Sequence, residues 1–177
     1  MEKPRLIIVC GVPGSGKSTL ARHAVERWGA VSFASETFAA QLGAAARGPS
    51  GDLTKEAIVH AYAAMGAAVA ACLAAGQLVL AVGSFRAEDQ RRRFRDIASG
   101  AGASATTLRI VCPVPTAAER VRSRLAHGER GPTERSIHQI DAELNRASDI
   151  DAVLTNDTSI EHFLRAADTM AARWVGV

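Results

Sequence analysis

Lysine is scarce in this 177-residue chain: Lys3, Lys17 and Lys55 are the only three, and the remaining basic charge is arginine. Aromatic residues make up 5% of the sequence, and no dense basic run is interleaved with them. The net charge of +3 therefore hints at anionic partners without pointing to a polynucleotide, which remains a possible partner but not the favoured one. Cysteine is scarce too. Cys10, Cys72 and Cys112 are odd in number, far apart and set in apolar runs, so neither a disulfide framework nor a metal site is suggested, and buried, reduced thiols are expected. No signal sequence precedes the first apolar run, and no uncharged apolar segment is long enough to span a bilayer. The expectation is a cytoplasmic chain with no membrane partner. Its length suits one domain, 1–177, without repeat or linker.

What is present is organised around Gly11-Val12-Pro13-Gly14-Ser15-Gly16-Lys17-Ser18-Thr19. The spacing is Gly, four residues, then Gly-Lys-Ser, the Walker A pattern, and it stands between an aliphatic run and a helical pattern. Glycines let the backbone turn so that successive N–H groups face an anion, and the helix start adds its partial positive charge. In such a cradle Lys17 reaches the β- and γ-phosphates, the Ser18 hydroxyl ligates Mg²⁺, and Thr19 bonds the α-phosphate. Nucleotide binding follows from this stretch.

The rest of the chain alternates strands and helices. Arg5–Cys10 reads as a strand buried on both faces, and Leu20, Ala24 and Trp28 form the core stripe of the first helix, capped at Gly29. Trp28 is read as core and not as an adenine platform. Val31–Ala34 is a second strand, with Ser35 and Glu36 at its carboxyl end. Ligands of open parallel sheets bind beyond those ends, so Glu36 is the leading candidate for general base or orienter of an acceptor hydroxyl. Against this stands a solvated residue in the first turn of a helix.

Asp52 is expected to cap the helix carrying Ile58, Tyr62, Met65, Val69 and Leu73, which ends at Gly76. Leu78–Val82 is a third strand. Glu88–Ala98 is a helix whose Arg91, Arg92, Arg93 and Arg95 read mostly as a solvated face, and Thr107–Cys112 is the fourth strand. Thr116–His127 reads as a helix with Arg120 and Arg124 on one face, leading into Gly128-Glu129-Arg130-Gly131-Pro132 as a lid around 120–135. Cations on a closing lid neutralise charge on a transferring phosphoryl group; surface arginines are the alternative. A helix from Thr133 buries Ile137, Ile140 and Leu144, and Ala152–Thr155 is the fifth strand. Asn156 and Asp157 fall in the loop where adenine packs in such folds. Thr158 and Glu161 read as a capping box for a last helix burying Ile160, Phe163, Leu164, Ala167 and Trp174.

Leu6 to Thr19, Ser35-Glu36, Val79 to Arg86, Ile110 to Pro113 and Glu119 to Arg124 together resemble the small P-loop kinases. The likeness is to the polynucleotide-kinase-like, zeta-toxin-like and chloramphenicol-phosphotransferase-like group, with an AAA-like ATP-binding domain. It implies an α/β, three-layer P-loop NTPase fold with a five-stranded parallel sheet in the order 2-3-1-4-5 and helices on both faces. It also implies ATP with Mg²⁺ as donor and a hydroxyl as acceptor. Lys17 and Ser18 match that pattern, as do Arg120 and Arg124. Glu36 stands for the group's usual Asp, Ala39 for an Arg, and Val82 for the Asp of the third strand. An ATP-dependent phosphotransferase is the main reading, with a small-molecule acceptor favoured over a polynucleotide. The second reading is a nucleotide-binding switch or weak ATPase.

Overall fold

A computed structural model describes residues 5–43, 46–49, 51–125 and 132–174. The chain runs β1 (Leu6–Cys10), α1 (Lys17–Trp28), β2 (Val31–Ala34), α2 (Ser35–Ala40), α3 (Lys55–Ala74) and β3 (Val79–Val82). It continues through α4 (Glu88–Gly100), β4 (Ala105–Val111), α5 (Val114–Arg124), α6 (Glu134–Asn145), β5 (Ala152–Thr155) and α7 (Ile160–Trp174). The five strands are all parallel and lie in the order β2-β3-β1-β4-β5.

β1 is central, and its unbroken aliphatic sequence follows from burial on both faces. Leu6, Ile8 and Cys10 face a core built with Met65 and Val69 of α3, Phe94 of α4, Ala117 of α5 and Ile137 of α6. Ile7 and Val9 face the other core, against Leu20 and Trp28 of α1 and Phe163 and Ala167 of α7. These two cores make the structure three-layered. Because every strand points the same way, Cys10, Ala34, Val82, Val111 and Thr155 end on one edge of the sheet, and the glycine loop crosses that edge.

Several boundaries differ from those read in the sequence. Thr54, not Asp52, caps α3, its hydroxyl accepting from the Ala57 N–H at 3.1 Å. Ser159, not Thr158, caps α7 through the His162 N–H at 3.2 Å, and Ile160 is 61% exposed. α5 starts at Val114, since Pro115 sits in its first turn, where the missing N–H costs nothing. The Gly128–Gly131 part of the expected lid lies outside the described residues.

The expectation of no span-length apolar segment is also corrected. By length and composition α3 is long and apolar enough to cross a membrane, with a mean hydropathy of 1.8. Its alanines carry no charge, yet only the stripe through Ala61, Met65 and Val69 is buried, against the sheet.

Arg91 is 1% exposed, against the expected solvated face. Its Nε and Nη2 donate to the two Asp149 carboxylate oxygens at 2.8 and 2.6 Å, and Nη1 donates to the Phe85 carbonyl at 2.6 Å. Arg95 reaches Asp151 and Thr107 at 2.7 Å. Only Arg92 and Arg93 are exposed. The helix therefore spends two of its four arginines on joining β3 and β4 to the segment between α6 and β5.

Candidate nucleotide-binding site

The glycine loop is shaped by three positive φ angles: 150° at Gly11, 81° at Gly14 and 109° at Gly16. At all three, close neighbours also forbid a side chain, the Ile110 carbonyl being the obstacle at Gly11. A Cβ at Gly14 would strike the carbonyl of Ala117 in α5, and one at Gly16 would strike the Asn156 amide. Gly16 ends the loop as the N-cap of α1.

Side-chain donors take up the loop's carbonyl groups. Lys17 Nζ donates to the carbonyls of Gly11 at 2.9 Å and Val12 at 2.7 Å. Arg120 Nη1 reaches the Gly14 carbonyl at 3.3 Å and the Cys112 thiol sulfur at 3.5 Å. Asn156 Nδ2 donates to the Ser15 carbonyl at 2.8 Å. The N–H groups of Gly14, Gly16, Lys17 and Ser18 have no acceptor among the described residues, and the buried Ser15 hydroxyl is likewise without a partner. Inward N–H groups at a helix start form an anion nest, which fits a polyphosphate.

Burial lowers the Lys17 pKa to about 8, opposed chiefly by the carboxylate of Glu36. Arg124 acts on the same ammonium in the opposite sense. Glu36 is exposed in the first turn of α2, at the carboxyl end of β2, and thus faces the cradle electrostatically. Arg120 thus touches the loop, while Glu36 and Arg124 act on Lys17 through charge. Val12 is buried, Pro13 and Thr19 are half-buried, and Ser18 is exposed. For a divalent cation the protein offers the Ser18 hydroxyl. Val82 at the end of β3 is apolar, and among the described residues no three His, Cys, Asp or Glu side chains are placed together so as to hold a metal ion.

Two features here escape a linear reading. Beyond β3, Phe85 is buried at φ 42°, a left-handed conformation that L-residues seldom adopt. Its N–H donates to the Tyr62 hydroxyl at 3.0 Å. Burial pushes the Tyr62 phenol up from its ordinary value, so it stays neutral. The Ser84 carbonyl in turn accepts from the Gly11 N–H at 3.4 Å. The second feature is Asn156, placed by β5 with its own N–H on the Val111 carbonyl at 2.7 Å. Only the register between β4 and β5 brings it to the loop.

A family model described as an AAA domain matches residues 6–149, which includes the whole glycine loop. The chain belongs to the AAA domain family. Its match takes in Lys17, Glu36, Arg120 and Arg124, but not Asn156. Among solved structures, this AAA domain is similar to a candidate kinase from Chloroflexus aurantiacus, at 21% identity and a TM-score of 0.74, covering 98% of this chain and 100% of that one. An unliganded sugar kinase from Janibacter sp. aligns at 20% identity and a TM-score of 0.70, covering 98% and 95% of the two chains. The APS kinase of Mycobacterium tuberculosis, in complex with AMPPNP and APS, aligns at 18% identity and a TM-score of 0.65, covering 96% and 99%. At these identities the likeness is one of fold, the P-loop kinase fold. No significant match is found among the curated proteins.

Proposed function

We propose that this AAA domain is an ATP-dependent phosphotransferase that moves the γ-phosphate of ATP to a hydroxyl group of a small molecule, or of a nucleotide or polynucleotide. The observation that carries the reading is the pairing of an open anion nest with a carboxylate. The Gly14, Gly16, Lys17 and Ser18 N–H groups lack acceptors among the described residues, and Glu36 is the negative charge acting most strongly on the Lys17 ammonium.

In this reading Gly11 to Thr19 hold the phosphates, with Lys17 leaving its loop carbonyls for the β- and γ-phosphate oxygens. Ser18 would hold Mg²⁺ together with phosphate oxygens and water. When bound, the ion would offset the negative charge of the phosphates. Glu36 accepts the proton of the acceptor hydroxyl as that oxygen bonds to the γ-phosphorus. The bond from the γ-phosphorus to the β,γ-bridging oxygen breaks, and ADP leaves. Arg120 and Arg124 offset the charge on the transferring group, in a lid around 120–135 of a single domain. The sugar kinase and the APS kinase among the structural relatives support a small-molecule hydroxyl as acceptor. Positioning and charge neutralisation supply most of the acceleration in such transfers. The expected location is cytoplasmic, with no membrane partner.

The second reading, a nucleotide-binding switch or weak ATPase, is favoured by Val82. At 3% exposed it puts an aliphatic side chain where the resembling kinases carry an Asp. Incubation with γ-labelled ATP and panels of sugars, nucleosides, polynucleotide ends and antibiotics separates the two. Label in an acceptor supports the kinase. ATP binding without label transfer or phosphate release, unchanged by Glu36→Gln, supports the switch.

A further inference from the structure

We infer that Asn156 is the positioning residue that sets the Ser15–Gly16 peptide for phosphate binding. The inference rests on the nucleotide reading above but adds a residue from outside the Walker stretch and outside the family match.

A trans peptide is planar, with its carbonyl and N–H pointing in opposite directions. Asn156 Nδ2 holds the Ser15 carbonyl at 2.8 Å, so the Gly16 N–H of the same peptide is turned away from Asn156. That N–H has no acceptor among the described residues. Asn156 is itself rigid. It is 6% exposed, its backbone N–H is fixed to the Val111 carbonyl at 2.7 Å, and its side chain fills the place a Cβ on Gly16 would occupy, beside Phe163. Gly16 at φ 109° lacks the steric limits that would hold a residue with a side chain in one orientation. An external clamp is therefore what keeps its preceding peptide from flipping. If it flipped, a carbonyl oxygen would replace an N–H in the nest and repel the phosphate.

A nest-setting residue acts on phosphate binding alone, whereas an adenine contact acts only on the nucleoside. The two are separated by titrating ADP and inorganic pyrophosphate calorimetrically into the wild-type chain, Asn156→Ala and Asn156→Asp. The expected result is a loss of tenfold or more for Asn156→Ala, equal for ADP and pyrophosphate, and a larger loss for Asn156→Asp, whose carboxylate faces the Ser15 carbonyl. Asn156→Asp keeps the shape that packs on Gly16, so it serves if the alanine variant fails to fold; melting curves identify that case. Weakened ADP binding with pyrophosphate unchanged, or unchanged affinity for both, overturns the inference and leaves the nucleotide reading standing. A wild-type chain that binds neither ligand removes the nucleotide reading, and this inference with it.

Discussion

The Lys17 ammonium lies 2.7 Å from the carbonyl oxygen of Val12, five residues back in its own loop. A cation drawn onto neutral carbonyls and away from water is poorly solvated, which is why its pKa falls to about 8. A bound polyphosphate would replace those carbonyls with full negative charge and return the proton. ADP binding at about pH 8.5 to 9 is therefore expected to take up protons, read as a dependence of calorimetric enthalpy on the ionisation enthalpy of the buffer. Lys17→Met is expected to abolish the uptake and to weaken ADP binding at least tenfold.

The same shift has a signature in the chain without ligand. The unfolded Lys17 keeps its proton up to about 10.5, while the folded one releases it near 8. Between these values the unfolded state binds more protons, so the Lys17 contribution to stability rises with pH. Cys10 works against it: burial pushes its thiol from 9.0 to about 11, so its contribution falls over that interval. Denaturant titrations of wild type and Lys17→Met share the burial of Cys10, the largest cause of its shift. Their difference is expected to move in favour of the wild type from pH 8 to 10.5, and a flat difference would count against a buried ammonium.

Glu36 is exposed and makes no hydrogen bond among the described residues, so Glu36→Gln should leave the melting temperature within about a degree or two while removing the proton acceptor. Label transfer to the best acceptor should fall about 10²- to 10⁴-fold. ADP affinity should change little. A loss confined to KM would assign Glu36 to acceptor binding alone.

Gly14→Ala probes the cradle from its other side. The new Cβ meets the Ala117 carbonyl of α5, a backbone atom, at φ 81°. The loop or α5 must shift, and ADP affinity is expected to fall about tenfold or more, with about 1 to 3 kcal/mol lost in stability. Gly29→Ala, with nothing within 4 Å of its Cβ at φ 64°, meets only the conformational cost and should leave ADP affinity unaltered.

Arg91→Leu should be the most destabilising of these variants. It strands the Asp149 carboxylate and the Phe85 carbonyl, and loss of one partner of a buried pair costs about 3 kcal/mol, the low end of the usual range because Asp149 keeps some access to water. Chemical denaturation measures it. Arg91→Lys should recover little, since one ammonium cannot hold both carboxylate oxygens and the carbonyl together.

The loop and the strand-helix alternation were legible in the sequence because both are local. Gly11, Gly14 and Gly16 stand where positive φ is needed, the stripe Leu20, Ala24, Trp28 repeats with the helical turn, and the aliphatic run of β1 carries the mark of burial on both faces. The strand order came from likeness, since spacing alone does not choose neighbours. Arg91 looked like its neighbours Arg92 and Arg93 because solvation is set by what packs above a helix, and its partner Asp149 is 58 residues away. The role of Asn156 was hidden for the same reason, with 141 residues between it and Ser15. Sequence by itself determined the backbone chemistry of the cradle, because a glycine's freedom and a helix start belong to a few adjacent residues. Only the tertiary structure decided which distant side chains hold that cradle in shape, because hydrogen bonds between β5, α5 and the loop exist only once the parallel sheet has set their carboxyl ends on one edge.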